Sequence, residues 1–350
     1  MKTEKIKILH VVSGIADGGL EKVVYMIVSG SQSGEYEHFI SVLVKDSNSF
    51  LETDFLKLGC RITVFDFENR LFDLSSIKKN LIQIFKLAGY IRKNNIRIVH
   101  SHDFFPAFCA RLAAVVAGIF YFYKVKKIFV TLHNSFIWLN KYHHFVNRIL
   151  SLFTSKIICV SGSVLEYSLM HDKINRNKYV VIFNGIDEDL FIPDKSCIDE
   201  YRQEFGISNE KLIIANIGVL SIRKGQKYLV ESFRILSQKY DNLVLLIFGS
   251  GREHEAFIEE ELQKMIENYS LNDKVKIINP RKDINRVYNI FDIYVMPSIT
   301  EGQSLCVIEA MFMERLCLLS DIPSFSEMVE EGVNGFLFKT TDIEDLTNKL

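Results

Sequence analysis

The densest chemistry in the sequence lies in Pro297-Ser298-Ile299-Thr300-Glu301-Gly302-Gln303-Ser304-Leu305-Cys306-Val307-Ile308-Glu309-Ala310. A strand-like run ends at Pro297, a polar loop with Gly302 follows, and a helical pattern starts near Ser304. Glu301 and Glu309 stand in an E-x7-E spacing, the first in the loop and the second a turn into an otherwise apolar helix. Carboxylates accept hydrogen bonds from sugar hydroxyls, and one lodged among apolar residues needs a partner to offset its burial. The amides of Ser304 and Leu305, at the helix start, suit a phosphate. The structural alternative is a solvated glutamate pair.

Three other turns resemble ligand loops. Gly218-Val219-Leu220-Ser221-Ile222-Arg223-Lys224-Gly225 leaves a strand for a helix and places two cations at the helix start, where the helix dipole disfavours them. They are accounted for if an anion such as a diphosphate sits between them and the helix end. The loop Ser13–Glu21, with Gly18 and Gly19, lets backbone approach a ligand closely. It is not G-x-G-x-x-G, and no acidic residue about twenty positions on ends a second strand, so a nicotinamide site is not expected. Phe248-Gly249-Ser250-Gly251-Arg252-Glu253 carries two of three fingerprint glycines, the third being replaced by His254.

His133 ends a strand-like run in Thr131-Leu132-His133-Asn134, and His100 and His102 flank another strand end. His143 and His144 lie on a segment with an apolar stripe, Phe145, Ile149, Leu150 and Phe153. No H-x-x-x-H or similar spacing appears, so hydrogen-bonded or exposed histidines are expected and no metal site.

These loops need a frame of strands and helices. Short β-branched or aromatic runs at Ile6–Val12, His38–Lys45, Arg61–Phe65, Ile96–His100, Lys127–Leu132, Lys156–Val160 and Tyr179–Phe183 alternate with helical patterns such as Ser75–Asn94. The alternation restarts with strands at Leu212–Gly218, Val244–Gly249, Lys274–Ile278, Ile293–Met296 and Leu316–Leu319. Helices are expected near Lys224–Lys239, His254–Tyr269, Asn285–Ile290 and Ser304–Phe312. The turn-rich join from Asn184 to Pro193 reads as an interdomain hinge. Two doubly wound parallel-sheet α/β domains are expected, residues 1–185 and 186–350, with ligand in a cleft at the carboxyl ends of the strands. The apolar run Phe104–Tyr123 has Arg111 in its middle and Pro106 near its start, which favours a buried helix over a membrane span.

Length and composition agree. The 350 residues suffice for two cores, and 48% hydrophobic with 24% charged residues is ordinary for a globular protein. Six scattered cysteines without C-x-x-C spacing fit a reducing compartment, and the charged Met1–Lys7 is no signal peptide, so a cytoplasmic location is expected. Net charge is −1, giving no reason to expect nucleic acid. Its distribution is uneven: residues 1–185 hold 24 Lys and Arg against 14 Asp and Glu, and the remainder 18 against 29. No acidic residue falls between Asp103 and Glu166, while Arg111, Lys124, Lys126, Lys127, Lys141, Arg148 and Lys156 do. One basic face could meet an anionic membrane or substrate, or the unlike halves could attract each other.

Taken in order, Gly18–Glu21, His133, Asn184-Gly185-Ile186-Asp187, Lys224-Gly225 and the Glu301/Glu309 pair resemble the retaining glycosyltransferases of family 4, with the two-Rossmann GT-B fold, over nearly the whole chain. The resemblance implies that Glu309 holds the ribose of a UDP- or GDP-sugar and that Arg223 and Lys224 neutralise its diphosphate. Glu301 would contact the transferred sugar, Gly18 and Gly19 would close on the donor, and Gly218, Ser304 and Leu305 would line its site. His133 would sit beside the reacting carbon, with His102 and Asn134 on the acceptor side. It further implies retention by front-face attack, a departing phosphate that helps deprotonate the acceptor, no cofactor and no metal. The acceptor would be a glycan or lipid-linked glycan of a surface polysaccharide, reached from a peripheral position on the membrane.

The sequence also departs from that family. Val219 stands where Arg often follows the strand glycine, Asn279-Pro280-Arg281 replaces a Gly-containing loop, and Ser320–Glu327 lacks a common glycine pair. The chain stops at Leu350 inside a helical pattern, consistent with a shortened C-terminal helix. Alternatives are a sugar-nucleotide epimerase of the same fold, a non-catalytic subunit of a transferase pair and, more remotely, a dehydrogenase.

Overall fold

The computed structural model describes all residues except 1–4, 17, 33, 45–48, 69–73, 136 and 252–254. Asp17 of the first glycine loop, Lys45 at the end of the second expected strand, Arg252 and Glu253 of the Phe248–Glu253 turn, and His254 after it therefore lie outside the described residues. The chain forms two compact units, Met1–Asn184 and Gly185–Leu350.

The first unit alternates strictly. In chain order it contains β1 (Ile6–Val12), α1 (Gly19–Gly30), β2 (Tyr36–Val42), α2 (Phe50–Lys57), β3 (Arg61–Val64), α3 (Leu74–Lys93) and β4 (Ile98–His102). These are followed by α4 (Phe104–Phe120), β5 (Lys127–Leu132), α5 (Lys141–Leu150), β6 (Lys156–Cys159), α6 (Gly162–Asp172) and β7 (Tyr179–Val181). The parallel sheet runs β3-β2-β1-β4-β5-β6-β7, so the order reverses between β1 and β4, where a doubly wound sheet opens a crevice at its carboxyl edge.

The second unit contains α7 (Ile198–Glu204), β8 (Leu212–Ile217), α8 (Gln226–Ser237), β9 (Leu243–Phe248), α9 (Ala256–Asn268), β10 (Val275–Ile278) and α10 (Ile284–Val287). Then come β11 (Ile293–Met296), α11 (Leu305–Phe312), β12 (Leu316–Ser320), α12 (Pro323–Ser326), β13 (Phe336–Phe338) and α13 (Ile343–Lys349). Its sheet order is β10-β9-β8-β11-β12-β13, reversing between β8 and β11. Strand β9 is Leu-Val-Leu-Leu-Ile-Phe and buried throughout, as a strand covered by helices on both faces must be.

Several expectations shift. The fourth strand ends at His102, not His100, so both histidines lie within β4. Arg223 and Lys224 sit in a 3-10 turn, Ile222–Lys224, one residue ahead of α8 at Gly225. They still lie beside the positive end of the helix dipole, and each is paired with Glu301. The stretch read as a hinge is fixed to the second unit from Ile186 onward. Phe191 is buried in that unit's core, and Asn285 donates to the carbonyl of Leu190 at 2.7 Å. No helix among the described residues is long and apolar enough to cross a membrane. Arg111 is buried, donating to the Ala107 carbonyl and to Asn147, which in turn bonds Asp172. It does not belong to the basic face, whereas Lys124, Lys126, Lys127, Lys141, Arg148 and Lys156 are exposed.

Candidate active site

In the second unit the carboxyl edge at the sheet reversal is built by the exits of β8 and β11. Two glycines make this possible. Gly225 has φ +67°, and a Cβ there would come 2.1 Å from the carbonyl oxygen of Pro297; at Gly249 a Cβ would come 2.0 Å from that of Gly218. The first glycine seats the Arg223–Lys224 turn against the Pro297–Glu301 loop, and the Ile299 amide donates to the Arg223 carbonyl at 2.8 Å. The glycines of the Phe248–Glu253 turn thus serve close backbone packing: the Gly218 and Leu220 amides donate to the carbonyls of Phe248 and Ser250.

Glu301 is enclosed where these loops meet. Lys224 Nζ lies 2.7 Å from its Oε1 and Arg223 Nη1 lies 3.0 Å from its Oε2. The Ser298 hydroxyl donates to Oε1 at 3.1 Å. Burial by itself would raise this carboxyl's pKa, but Arg223, Lys224 and Ser298 outweigh it and hold it at about 2. Two cations against one carboxylate leave the cluster with one positive charge. Ser304 is the N-cap of α11 without a side-chain cap, and Leu305 begins the helix, so first-turn amides and a net cation lie on one loop-helix segment. Gly218 backs the lysine: a Cβ there would come 3.3 Å from Lys224 Cε.

Glu309 is buried on α11, as its apolar neighbours imply. The hydroxyl of fully buried Tyr288 lies 2.9 Å from Glu309 Oε2 and 3.1 Å from the Cys306 carbonyl. Burial raises the Tyr288 pKa well above its ordinary value, with Glu309 adding to it, so the phenol stays a proton donor. Tyr288 and Ser298 were not singled out from sequence; a tyrosine next to a short helix carries no spacing signal. Arg281, in the departing Asn279–Arg281 segment, is committed to Glu204 and Asp283.

In the first unit the corresponding edge carries Gly18, Gly19, His133 and Asn134. Gly18 is the N-cap of α1 in extended conformation and Gly19 its first residue. Half-buried His133 follows β5 directly, and its backbone N–H donates to Asp103 Oδ1 at 2.9 Å. Asp103 itself sits at φ +69°, a conformation costing roughly 1–3 kcal/mol for a non-glycine residue. Such strain commonly marks functional loops. The Asn134 side-chain oxygen is buried without a hydrogen-bond partner among the described residues.

His102 requires a correction. It is fully buried in β4 and does not itself face an acceptor; its Nδ1 lies 3.1 Å from His133 Nε2. His10 and His38, which the sequence reading passed over, belong to the same cluster: His10 Nδ1 is 3.3 Å from His102 Nε2, and His10 Nε2 is 3.2 Å from His38 Nδ1. One ring nitrogen each from His10, His100 and His102 lie within 4.8 Å of one another. Sequence spacing missed this convergence because it arises between strands. Burial lowers the pKa of all five rings, to about 4 for His100 and about 3 for His133. They are therefore neutral imidazoles at physiological pH. His143 and His144 lie apart from this cluster, one in the Asn140 capping box and the other against Asp172.

Comparison with known proteins gives one consistent picture. Residues 17–190 match Glycosyltransferase Family 4, and residues 198–350 match Glycosyl transferases group 1. An Escherichia coli UDP-Gal:alpha-D-GlcNAc-diphosphoundecaprenol alpha-1,3-galactosyltransferase is 25% identical, covering 99% of this chain and 87% of that one. The O-antigen biosynthesis glycosyltransferase WclY of Escherichia coli is 23% identical over 89% of this chain and 83% of its own. Among solved structures, Anabaena HepE in complex with UDP-glucose superposes with a TM-score of 0.84 at 20% identity, covering 98% and 88% of the two chains.

Proposed function

The chain belongs to the family 4 glycosyltransferases of the GT-B fold, and on that premise we propose that it is a retaining, metal-independent hexosyltransferase using a UDP- or GDP-sugar. The observation that carries the donor reading is the Glu301–Arg223–Lys224 cluster beside the start of α11. The cluster keeps one net positive charge in a buried setting, which suits a leaving diphosphate without a divalent ion. The carboxylate, ionised throughout the physiological range, faces the positive charge that develops on an oxocarbenium-like sugar. Glu309, ordered by Tyr288, takes the ribose hydroxyls; Ser304, Leu305 and Gly218 take the phosphates; Gly18 and Gly19 close on the donor. His133 and Asn134 serve the acceptor.

The acceptor is a glycan or lipid-linked glycan, reached at the inner face of the cell membrane. Support comes from an exposed apolar patch on the first unit with basic residues close in sequence. Ile77, Leu81, Ile82 and Phe85 on α3, with Tyr121 after α4, line an open groove of about 740 Å³ that also holds Lys78 and Lys86. Phe120 and Phe122 continue the apolar surface, Phe122 being 93% exposed. Aromatic and apolar groups beside lysines suit the headgroup layer of an anionic bilayer. Phe122→Ser with Lys124→Glu should abolish salt-sensitive co-sedimentation with phosphatidylglycerol vesicles; unchanged binding would remove the membrane reading.

The donor reading is tested by incubating the purified chain with UDP- and GDP-sugars and measuring nucleotide release, with Glu309→Ala as control. Release from one donor by the wild type alone identifies that donor. Unaltered donor affinity in Glu309→Ala would refute this placement of the site.

A further inference from the structure

We infer that His10, His100 and His102 form a three-histidine site for Zn2+ or a similar late first-row cation, a structural ion that ties β1 to β4. The site depends on neither the donor placement nor the acceptor role of His133.

The strands bring the ligands together. His100 and His102 are two residues apart on β4, so their side chains leave the same face of the sheet. His10 on β1 lies opposite His100 in the parallel register. On a strand, H-x-H aligns two rings as H-x-x-x-H does on a helix, so helical ligand spacing gives no sign of it. The third ring comes from the neighbouring strand, at the place where the sheet order reverses.

The distances suit a metal ion. His10 Nδ1 and His102 Nε2 stand 3.3 Å apart. Two nitrogens bound to one tetrahedral zinc at about 2.0–2.1 Å each would be about 3.3 Å apart. One ring nitrogen of His100 lies within 4.8 Å of both, so a shift of at most about 1.5 Å in that ring completes the set.

Each ring is also held from outside the trio. His10 Nε2 is 3.2 Å from His38 Nδ1, and His102 Nδ1 is 3.1 Å from His133 Nε2. His100 Nε2 is 2.7 Å from the Thr131 hydroxyl. Outer hydrogen bonds of this kind fix the tautomer and orientation of a metal-bound imidazole. With the ion on His10 Nδ1 and His102 Nε2, His10 carries its proton on Nε2 and donates to His38. His102 then carries its proton on Nδ1 and donates to His133. Each neutral ring keeps one proton and gives one lone pair.

The donor set selects the ion. Imidazole nitrogens suit zinc, cobalt and nickel, whereas magnesium, calcium and manganese seek oxygen. Three histidines supply three of zinc's four ligands, and a water takes the fourth position. Such an ion has no part in neutralising a diphosphate, so the metal-independent transfer proposed above is unaffected.

The test is to refold the full-length protein from urea with excess Zn2+, so that burial does not bar entry, then remove loosely held ion and measure zinc by elemental analysis. One equivalent per chain should remain, and the urea midpoint should rise relative to protein refolded with a chelator. Co2+ in place of Zn2+ should give the strong visible absorption of a tetrahedral site, and excess Mg2+ should not compete. His100→Phe should weaken zinc binding at least ten-fold, while His143→Ala and His171→Ala, at histidines outside the trio, should not. Less than half an equivalent retained, an octahedral cobalt spectrum, or full affinity in His100→Phe would each overturn the site. Should His100→Phe fail to fold, 15N NMR of the wild type decides: zinc should shift the ring nitrogens of His10 and His102 and place the His102 proton on Nδ1. Zinc that leaves those resonances unmoved sinks the proposal.

Discussion

Lys224 Nζ and Glu301 Oε1 stand 2.7 Å apart, and both side chains are more than nine-tenths enclosed. A buried charge without its partner is far costlier than the pair is stabilising, about 3–5 kcal/mol when one member is removed. Glu301→Gln should therefore destabilise the second unit by about 3 kcal/mol, measured by denaturant unfolding. Glu301→Gln with Lys224→Met should recover most of that stability yet leave nucleotide release at background. Recovery of turnover along with stability would mean that the pair only supports the fold.

Gly225 permits the contact between the cation turn and the Glu301 loop. At Gly225→Ala the new methyl would lie 2.1 Å from the Pro297 carbonyl oxygen, in a backbone conformation of φ +67° that disfavours any side chain. The loop must move to relieve the clash. Donor affinity, followed by calorimetric titration with UDP- and GDP-sugars, should fall at least ten-fold, and Tm should drop. Wild-type affinity would show that the two loops are not coupled.

Tyr288 is expected to matter for binding and stability together. Tyr288→Phe removes the hydroxyl that faces Glu309 and leaves the ring packed, at a cost of about 1–3 kcal/mol for the hydrogen bond lost. If Glu309 holds ribose, the donor dissociation constant should rise several-fold while kcat changes less. A change in kcat alone would move Glu309 away from the nucleotide.

Acid should weaken the first unit before the second. Each histidine of the buried cluster has a folded-state pKa below its unfolded value near 6.5. The unfolded chain therefore binds protons first as pH falls, and stability present above pH 6.5 is lost on the way down to about 4 for His100 and about 3 for His133. At pH 5 the loss amounts to roughly 2 kcal/mol for each of these two, at about 1.4 kcal/mol per pH unit. Glu301 loses its contribution only below its unfolded pKa of 4.5, down to about 2. Trp138, the single tryptophan, reports on the first unit. Its fluorescence in urea should show a midpoint that falls between pH 7 and 5; a flat midpoint would mean the rings are not held neutral.

Much of the fold and part of the site could be read directly. The alternation of apolar runs with helical stripes placed β1, β5 and β11 at their observed bounds, because strand and helix periods are local properties of the chain. The apolar setting of Glu309 announced a buried carboxylate for the same reason, and the glycines at 249 and 251 announced a turn. The partners were not legible. Lys224 meets Glu301, Tyr288 meets Glu309, and His38 reaches His133 through His10 and His102 only because parallel strands pair in one register, and that register is set by long-range packing. Sequence by itself determined which residues carry charge, which segments become strands and where the chain turns. The tertiary structure decided which charges neutralise each other and which histidines touch, since both depend on distances across strands far apart in the chain.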